Sequence, residues 1–328
     1  SYRHFTQYEL GTLVGSLKAP FQAAVPPASR DELISALWNR ECPEITLDLS
    51  ELDTVFLRNN PAFTENKVEE KLGNPALYFC RQIKDRVLVI NDPDGLFQAE
   101  SKLFLLRIPE AARPRTLVTR DEDEVRKFLA DLKGPAILKP LKGFGGSEVF
   151  YVRRGETANT NQYMESIKKS SYIMAQEYIP AARTGDKRVL MLHGNVITVQ
   201  GYAAAYKRVS VKGDIRNNIH IGGIRKRTTL SPEEVATCNS IGPLLRKIGL
   251  WFVGLDMAGG KIMEINVFTP GGIHNINEIY GINVGAHVIE QLEQHVQLLR
   301  GVNTPGHSSP NNLEHNLEQN KEIQLAPR

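Results

Sequence analysis

The chain has 328 residues, beyond the size at which one core keeps growing, so two or three subdomains are expected. Apolar residues make up 41% and charged residues 23%, and the net charge is only +3 with no run of five basic residues, which argues against a nucleic-acid partner. Cys42, Cys80 and Cys238 are scattered, no apolar stretch nears the roughly 18 residues of a membrane helix, and no signal-peptide pattern opens the chain, so a reducing, cytoplasmic location without a disulfide framework, zinc site or membrane span is expected.

The first 45 residues carry little pattern beyond a short candidate helix at 33–38. Strand-like runs at 54–57 and 86–91, joined by a helix over 68–83, form a crossover unit and predict a small parallel sheet. Such a sheet would open with an apolar strand near residue 1, and none is expected there. Further on, a strand at 116–119 precedes a helix at 121–132 whose first turn is acidic, as the helix dipole favours. The run PAILKPLKGFGGSEVFYV reads as two strands around a glycine-rich turn. A helix at 162–169 and a strand at 172–179 follow, then antiparallel strands at 187–192 and 196–206. Residues 207–229 are polar and locally basic, which suits an anionic ligand.

Ser231, Pro232 and Glu234 form a strong helix start, and Gly242-Pro243 should kink or split that helix. After a helix at 284–299, the tail 301–328 has no aromatic residue and is read as mostly disordered, with a marginal helix at 313–323.

The segment GLDMAGGKIMEINVFTPGG follows an apolar strand yet holds Asp256, Glu264 and Asn266. Alternate strand residues share a face, so Glu264 and Asn266 point together. A plain two-residue Gly259-Gly260 turn would pair Asp256 with Met263 and separate it from them. A three-residue loop or a bulge would pair Asp256 with Glu264, gathering hard oxygen ligands suited to magnesium shared with nucleotide phosphates. The metal reading therefore expects no plain two-residue turn; satisfied polar groups at a sheet edge are the alternative.

Other features are weaker singly. Lys139 ends a strand before Gly143, Phe144, Gly145 and Gly146, whose backbone amides could converge on phosphate. It is no Walker motif, because two strands flank it. Gln176, Glu177, Tyr178 and Ile179 could hold a base through the backbone, with Asp186 and Arg188 in the next turn. Arg208 and Arg216 lie in or beside a basic, glycine-containing segment able to close over an acyl phosphate. His220 and His274 lack metal-spaced partners, and no triad suggests covalent catalysis.

In order and spacing, ILKP-LKGFGG, MAQEYIP, GDKRVL, FVGLDM and MEIN resemble the ATP-grasp superfamily, and within it the bacterial glutathione synthetase family. LFLRNNPAF, LVTR and SIGPLLRKIGLWFVGLD add to the likeness, which covers residues 48–300. It implies an α/β (α+β) class: an ATP-grasp fold behind an N-terminal parallel-sheet domain. The implied divisions are 1–92, a central lid at 93–175, an ATP-grasp subdomain at 176–300 and the tail 301–328.

The resemblance further implies that Lys102 and Lys139 contact ATP phosphates and Gly143, Phe144, Gly145 and Gly146 cover them. Gln176, Glu177, Tyr178 and Ile179 would hold adenine, with Asp186 near the nucleotide. Asp256, Glu264 and Asn266 would bind magnesium, two ions with manganese as a substitute. Arg188, Arg208 and Arg216 would serve the phosphorylated carboxylate. The activity implied is ATP-dependent joining of γ-glutamylcysteine and glycine by a homo-oligomer. The alternatives are a ligase for another acid and amine, or a non-catalytic nucleotide-binding regulator. One departure stands out: where the family usually carries Ser/Thr-Pro-Thr after the asparagine segment, this chain has Thr269, Pro270, Gly271 and Gly272, which removes a hydroxyl near the expected acceptor.

Overall fold

In the computed structural model, residues 3–5, 18–23, 35, 44–49, 52–58, 75–141, 149–156, 158–168, 172–209 and 224–302 are described. The chain divides into a large unit, Ser1–Gly285, and a small one, Ala286–Arg328, the latter holding most of the helix Val284–Val302. The expected helix at 33–38, apart from Ser35, and the tail beyond 302 lie outside the described residues.

Strands β1 (Arg3–Phe5), β2 (Lys18–Ala23) and β3 (Glu44–Asp48) form an antiparallel sheet. A short strand, β1, does lie near residue 1, but it is not the apolar opening strand of the parallel sheet that the expectation concerned. Arg-His-Phe is too short and polar to stand out as an apolar run, and β1 pairs with β2 rather than joining the parallel pair. That pair is β4 (Thr54–Phe56) and β5 (Leu88–Ile90), in the register Val55 to Val89. The helix Pro75–Ile83 lies between them in sequence; the expected earlier turns at 68–74 fall outside the described residues.

A second antiparallel sheet runs in the order β6-β9-β7-β8, from β6 (Thr116–Thr119), β7 (Ala136–Pro140), β8 (Phe150–Val152) and β9 (Ile173–Glu177). The helices Glu122–Asp131 and Ala158–Lys168 cover one face. Asp121 caps the first, accepting from the Asp123 and Glu124 backbone amides. Val125, Phe128, Leu138, Met164, Ile173 and Ala175 meet in its core.

The largest sheet contains β10 (Asp186–Leu192), β11 (Asn195–Val196), β14 (Ala205–Val209), β15 (Ile224–Lys226), β16 (Phe252–Ala258) and β17 (Lys261–Asn266). Its order is β15-β14-β10-β16-β17, with β11 beside β10. The single strand expected at 196–206 is instead broken by a small hairpin of β12 (Thr198–Val199) and β13 (Tyr202–Ala203). Gln200 and Gly201, at φ 50° and 82°, supply the left-handed turn that splits it.

One core joins this sheet to the parallel pair: Val55, Val89 and Leu96 pack with Val189, Val253, Leu255, Met257 and Ile262. From the other direction come Cys238, Ile241 and Leu245 of the helices Pro232–Ser240 and Gly242–Lys247. The Ser231 capping box forms, and Gly242-Pro243 divides the two helices as expected. A buried amide ties the parallel pair to the large sheet. Asn91 donates to the Phe252 and Val267 carbonyls at 2.8 and 2.7 Å and accepts from the Phe252 amide at 2.8 Å. All three bonds are shielded, so each is costly to lose.

Candidate active site

A row of charge crosses the large sheet because cross-strand partners share a face. Asp186 of β10 pairs with Arg208 of β14, and Arg188 of β10 with Asp256 of β16. Arg188 Nε and a terminal nitrogen donate to the two Asp256 oxygens at 2.5 and 3.1 Å. Arg208 reaches Asp186 at 2.6 Å and Asp256 at 2.9 Å. All four residues are buried, yet two cations meet two anions, so each charge is matched. Burial opposes ionisation of Asp256, but Arg188 and Arg208 more than offset it and hold the carboxyl below its ordinary range. Asp186 is pushed upward: burial outweighs the help of Arg208, and the Asp256 charge adds to the rise.

Next in the row, Asp256 pairs with Glu264. The expectation about the turn is corrected here. Gly259 and Gly260 do form a two-residue turn, with φ of 54° and 74°, between paired Ala258 and Lys261. A β-bulge then takes up Met263, so the register slips by one and Glu264 comes opposite Asp256. Of the two devices the sequence left open, a longer loop or a bulge, the bulge is the one that pairs Asp256 with Glu264. Asn266, two residues on, shares that face and donates to Asp256 at 3.4 Å.

The second sheet contributes Lys139 and Gln176. Lys139 Nζ donates to Gln176 Oε1 at 3.1 Å, and buried Gln176 donates to Thr116 at 3.2 Å. Desolvation is the main reason the Lys139 ammonium falls to about 8; nearby Lys102 lowers it further while Glu264 and Asp256 pull it up. Lys102, on the 3₁₀ turn Lys102–Arg107, is likewise lowered by burial and attracted by Glu264. Lys102, Lys139, Glu264 and Asp256 thus share one electrostatic neighbourhood. Two depressed lysines facing carboxylates form a place where added anions and cations can balance.

Beyond Gln176, the Glu177 and Tyr178 amides donate to the Arg115 and Pro135 carbonyls. The Ile179 amide has no protein partner among the described residues, leaving a donor for a ligand edge. Gly143, Phe144, Gly145 and Gly146 lie outside the described residues, as do Arg216 and His220. His274 is exposed and faces Glu278 of its own helix at 3.3 Å.

Two residues carry parts of this arrangement that sequence reasoning missed. Asn91 fixes the end of β16 and the residue after Asn266. Arg58 donates to the Pro270 carbonyl at 3.3 Å, next to the Gly271 carbonyl held by Arg188 at 3.2 Å. The only signals were an asparagine ending an apolar strand and an arginine directly after one.

Asp256, Glu264 and Asn266 put two carboxylates and an amide on one face, donors of the kind a hard divalent cation takes, with both Asp256 oxygens held by Arg188 and Arg208. Glu264 makes no protein hydrogen bond among the described residues, so its oxygens are available. Among the described residues no group of three His, Cys, Asp or Glu side chains is placed to hold a metal ion.

A family profile described as "Prokaryotic glutathione synthetase, ATP-grasp domain" matches residues 101–281, which include every described residue of this cluster. Glutathione synthetase of Pseudomonas syringae pv. tomato is 35% identical over 269 residues, spanning 81% of this chain and 80% of that protein. The Nostoc glutathione synthetase is 32% identical over 280 residues, covering 81% of each. Among solved structures, D-cycloserine synthetase DcsG aligns with a TM-score of 0.53 at 17% identity, over 76% of this chain and 86% of that one. The ATP-grasp ligase PsnB, captured with a precursor variant, Mg and ADP, aligns with a TM-score of 0.51 at 16% identity, over 88% and 84%. The structural likenesses give the fold as ATP-grasp, and with the sequence relatives and the profile they establish that this chain belongs to the prokaryotic glutathione synthetase family.

Proposed function

We propose that the protein is an ATP-dependent carboxylate–amine ligase that joins γ-glutamylcysteine to glycine. Membership of the glutathione synthetase family is the observation that carries this reading. The charged cluster supports it, because its chemistry suits phosphoryl transfer to a carboxylate. In the reaction, the cysteinyl carboxylate takes the terminal phosphoryl group of ATP and ADP leaves. The glycine amine then attacks the activated carbonyl, a C–N bond forms, phosphate departs and the amine loses a proton.

Lys102 and Lys139 bind and neutralise phosphate oxygens in this account. Ile179 offers its amide to the base, and Gln176 aims Lys139. Arg188 and Arg208, already spaced by Asp256 and Asp186, offset negative charge on the phosphorylated carboxylate. Asp256, Glu264 and Asn266 would hold the divalent cation, magnesium or manganese, which when bound offsets charge on the transferring phosphoryl group. Arg216 and the glycine-rich turn keep their proposed roles of closing and covering the site, excluding water from an intermediate that hydrolysis would waste.

The divisions 1–92, 93–175 and 176–300 belong to the same reading, with nucleotide held between the second and third. Buried Cys80 and Cys238 thiols, free of disulfides, suit a cytoplasmic setting, and assembly of identical subunits is open to light scattering. Among the described residues no helix is long and apolar enough to cross a membrane.

The test is ATP-dependent phosphate release from purified protein and magnesium with γ-glutamylcysteine plus glycine, beside a panel of other acids and amines. Release with this pair and formation of the tripeptide is expected. Release confined to another pair would overturn the substrate assignment, and ATP binding without release for any pair would favour the regulator.

A further inference from the structure

Arg58 follows β4, far in sequence from the charged row, yet it reaches the loop after Asn266. Its guanidinium carbon lies 5.3 Å from the Phe252 ring centre and 5.7 Å from that of Phe56. The two rings meet edge to face at 5.9 Å, so the arginine rests on a firm aromatic corner. Among the described residues its one protein hydrogen bond is the 3.3 Å contact with the Pro270 carbonyl, leaving most of its five donors uncommitted. Among the described residues it has no carboxylate partner. Arg58 is an exposed residue, and the partial loss of water around its head lowers its pKa. A guanidinium held on two rings with donors to spare suits a ligand carboxylate, which it would meet through two parallel bonds.

The loop it holds has room for such a ligand. Arg58 and Arg188, from distant parts of the chain, grip the consecutive carbonyls of Pro270 and Gly271. A Cβ placed on Gly271 would meet nothing within 4 Å. Arg188 commits three of its donors to Asp256 and Gly271, whereas Arg58 commits one, to Pro270. The two guanidiniums therefore play different parts. Arg188 is anchored in the charged row, and Arg58 keeps more of its donors for an incoming anion.

We propose that Arg58 is a specificity-determining residue that binds a substrate carboxylate which is not phosphorylated, beside the Pro270–Gly271 peptide. This rests on the ligase reading above. In that reaction such a carboxylate has two sources, the glutamyl α-carboxylate of the acid and the carboxylate of the glycine acceptor.

The test uses the full-length chain with three forms, wild type, Arg58→Lys and Arg58→Ala, and the two substrates beside their amides, one with the glutamyl α-carboxylate amidated and one glycinamide. Losing a bidentate contact to a charged group should raise one substrate's KM on the order of 10- to 100-fold in Arg58→Ala, with the KM for ATP unchanged. Arg58→Lys should recover part of the loss. Wild type should discriminate against one amide by a similar factor, and Arg58→Ala should no longer do so. Which amide loses its penalty identifies the source. If Arg58→Ala unfolds, the same comparison is read from Arg58→Lys, whose stem still covers the rings. Unchanged discrimination in a variant, or parallel rises in every KM including that of ATP, would overturn the assignment. Failure of the wild type to turn over this pair would instead remove the ligase reading, and the proposal with it.

Discussion

Replacing Lys139 by Met should make the empty protein more stable and ATP binding worse. The ammonium of Lys139 is drawn down to about 8 from 10.5 by desolvation. That gap of roughly 2.5 units corresponds to about 3 kcal/mol against the charged form. Because the folded pKa is the lower one, the unfolded chain binds more protons between pH 8 and 10.5. The penalty is thus complete below pH 8, and stability rises with pH across that window. Lys139→Met removes the penalty at pH 7 but strands the buried Gln176 oxygen, a loss of about 1 kcal/mol, so a net gain of about 2 kcal/mol is expected by urea denaturation. ATP reverses the balance, since phosphate restores the lysine charge. Affinity should fall roughly 20-fold between pH 7.5 and 9.5, with about half a proton taken up on binding at pH 8. Calorimetry in buffers of different ionisation enthalpy reads both quantities. Affinity independent of pH in that range, or an unchanged pH profile in Lys139→Met, would refute the reasoning.

Glu264→Gln should leave the melting temperature nearly unchanged, because the carboxylate is exposed, yet cut magnesium-dependent turnover by at least roughly 100-fold through loss of a metal charge; normal turnover would remove Glu264 from the metal site. Asp256→Ala leaves Arg188 and Arg208 facing each other, so a loss of about 3–5 kcal/mol is expected in denaturant titration, and a loss under about 1 kcal/mol would contradict a charge-balanced row. Gly272→Ala should destabilise by more than about 1 kcal/mol: φ is 127° and a Cβ would lie 2.8 Å from the Tyr206 ring. Gly271→Ala, with open space, should be tolerated, and equal melting temperatures for the two variants would speak against the loop geometry.

Local chemistry made the helix at Ser231 legible, because a cap, a proline and a glutamate within four residues leave few other outcomes. The shared face of Glu264 and Asn266 followed from strand alternation alone. Asp256 was different: its place depends on a bulge at Met263, which the sequence left as one of two devices, and nothing in a methionine says which is used. Gln200-Gly201 was equally quiet, although it splits a strand. Asn91 and Arg58 act on residues more than 150 positions away, so their roles arise only when β5 and β4 pack beside β16. Periodicity reports what a segment does for its own face; it carries no signal for a side chain that serves another element.

The most direct measurement is product formation. Purified protein with ATP, magnesium, γ-glutamylcysteine and isotopically labelled glycine should yield labelled glutathione and one phosphate per peptide bond, followed by mass spectrometry and phosphate assay. ATP binding without labelled tripeptide, while another acid–amine pair is joined, would contradict the account.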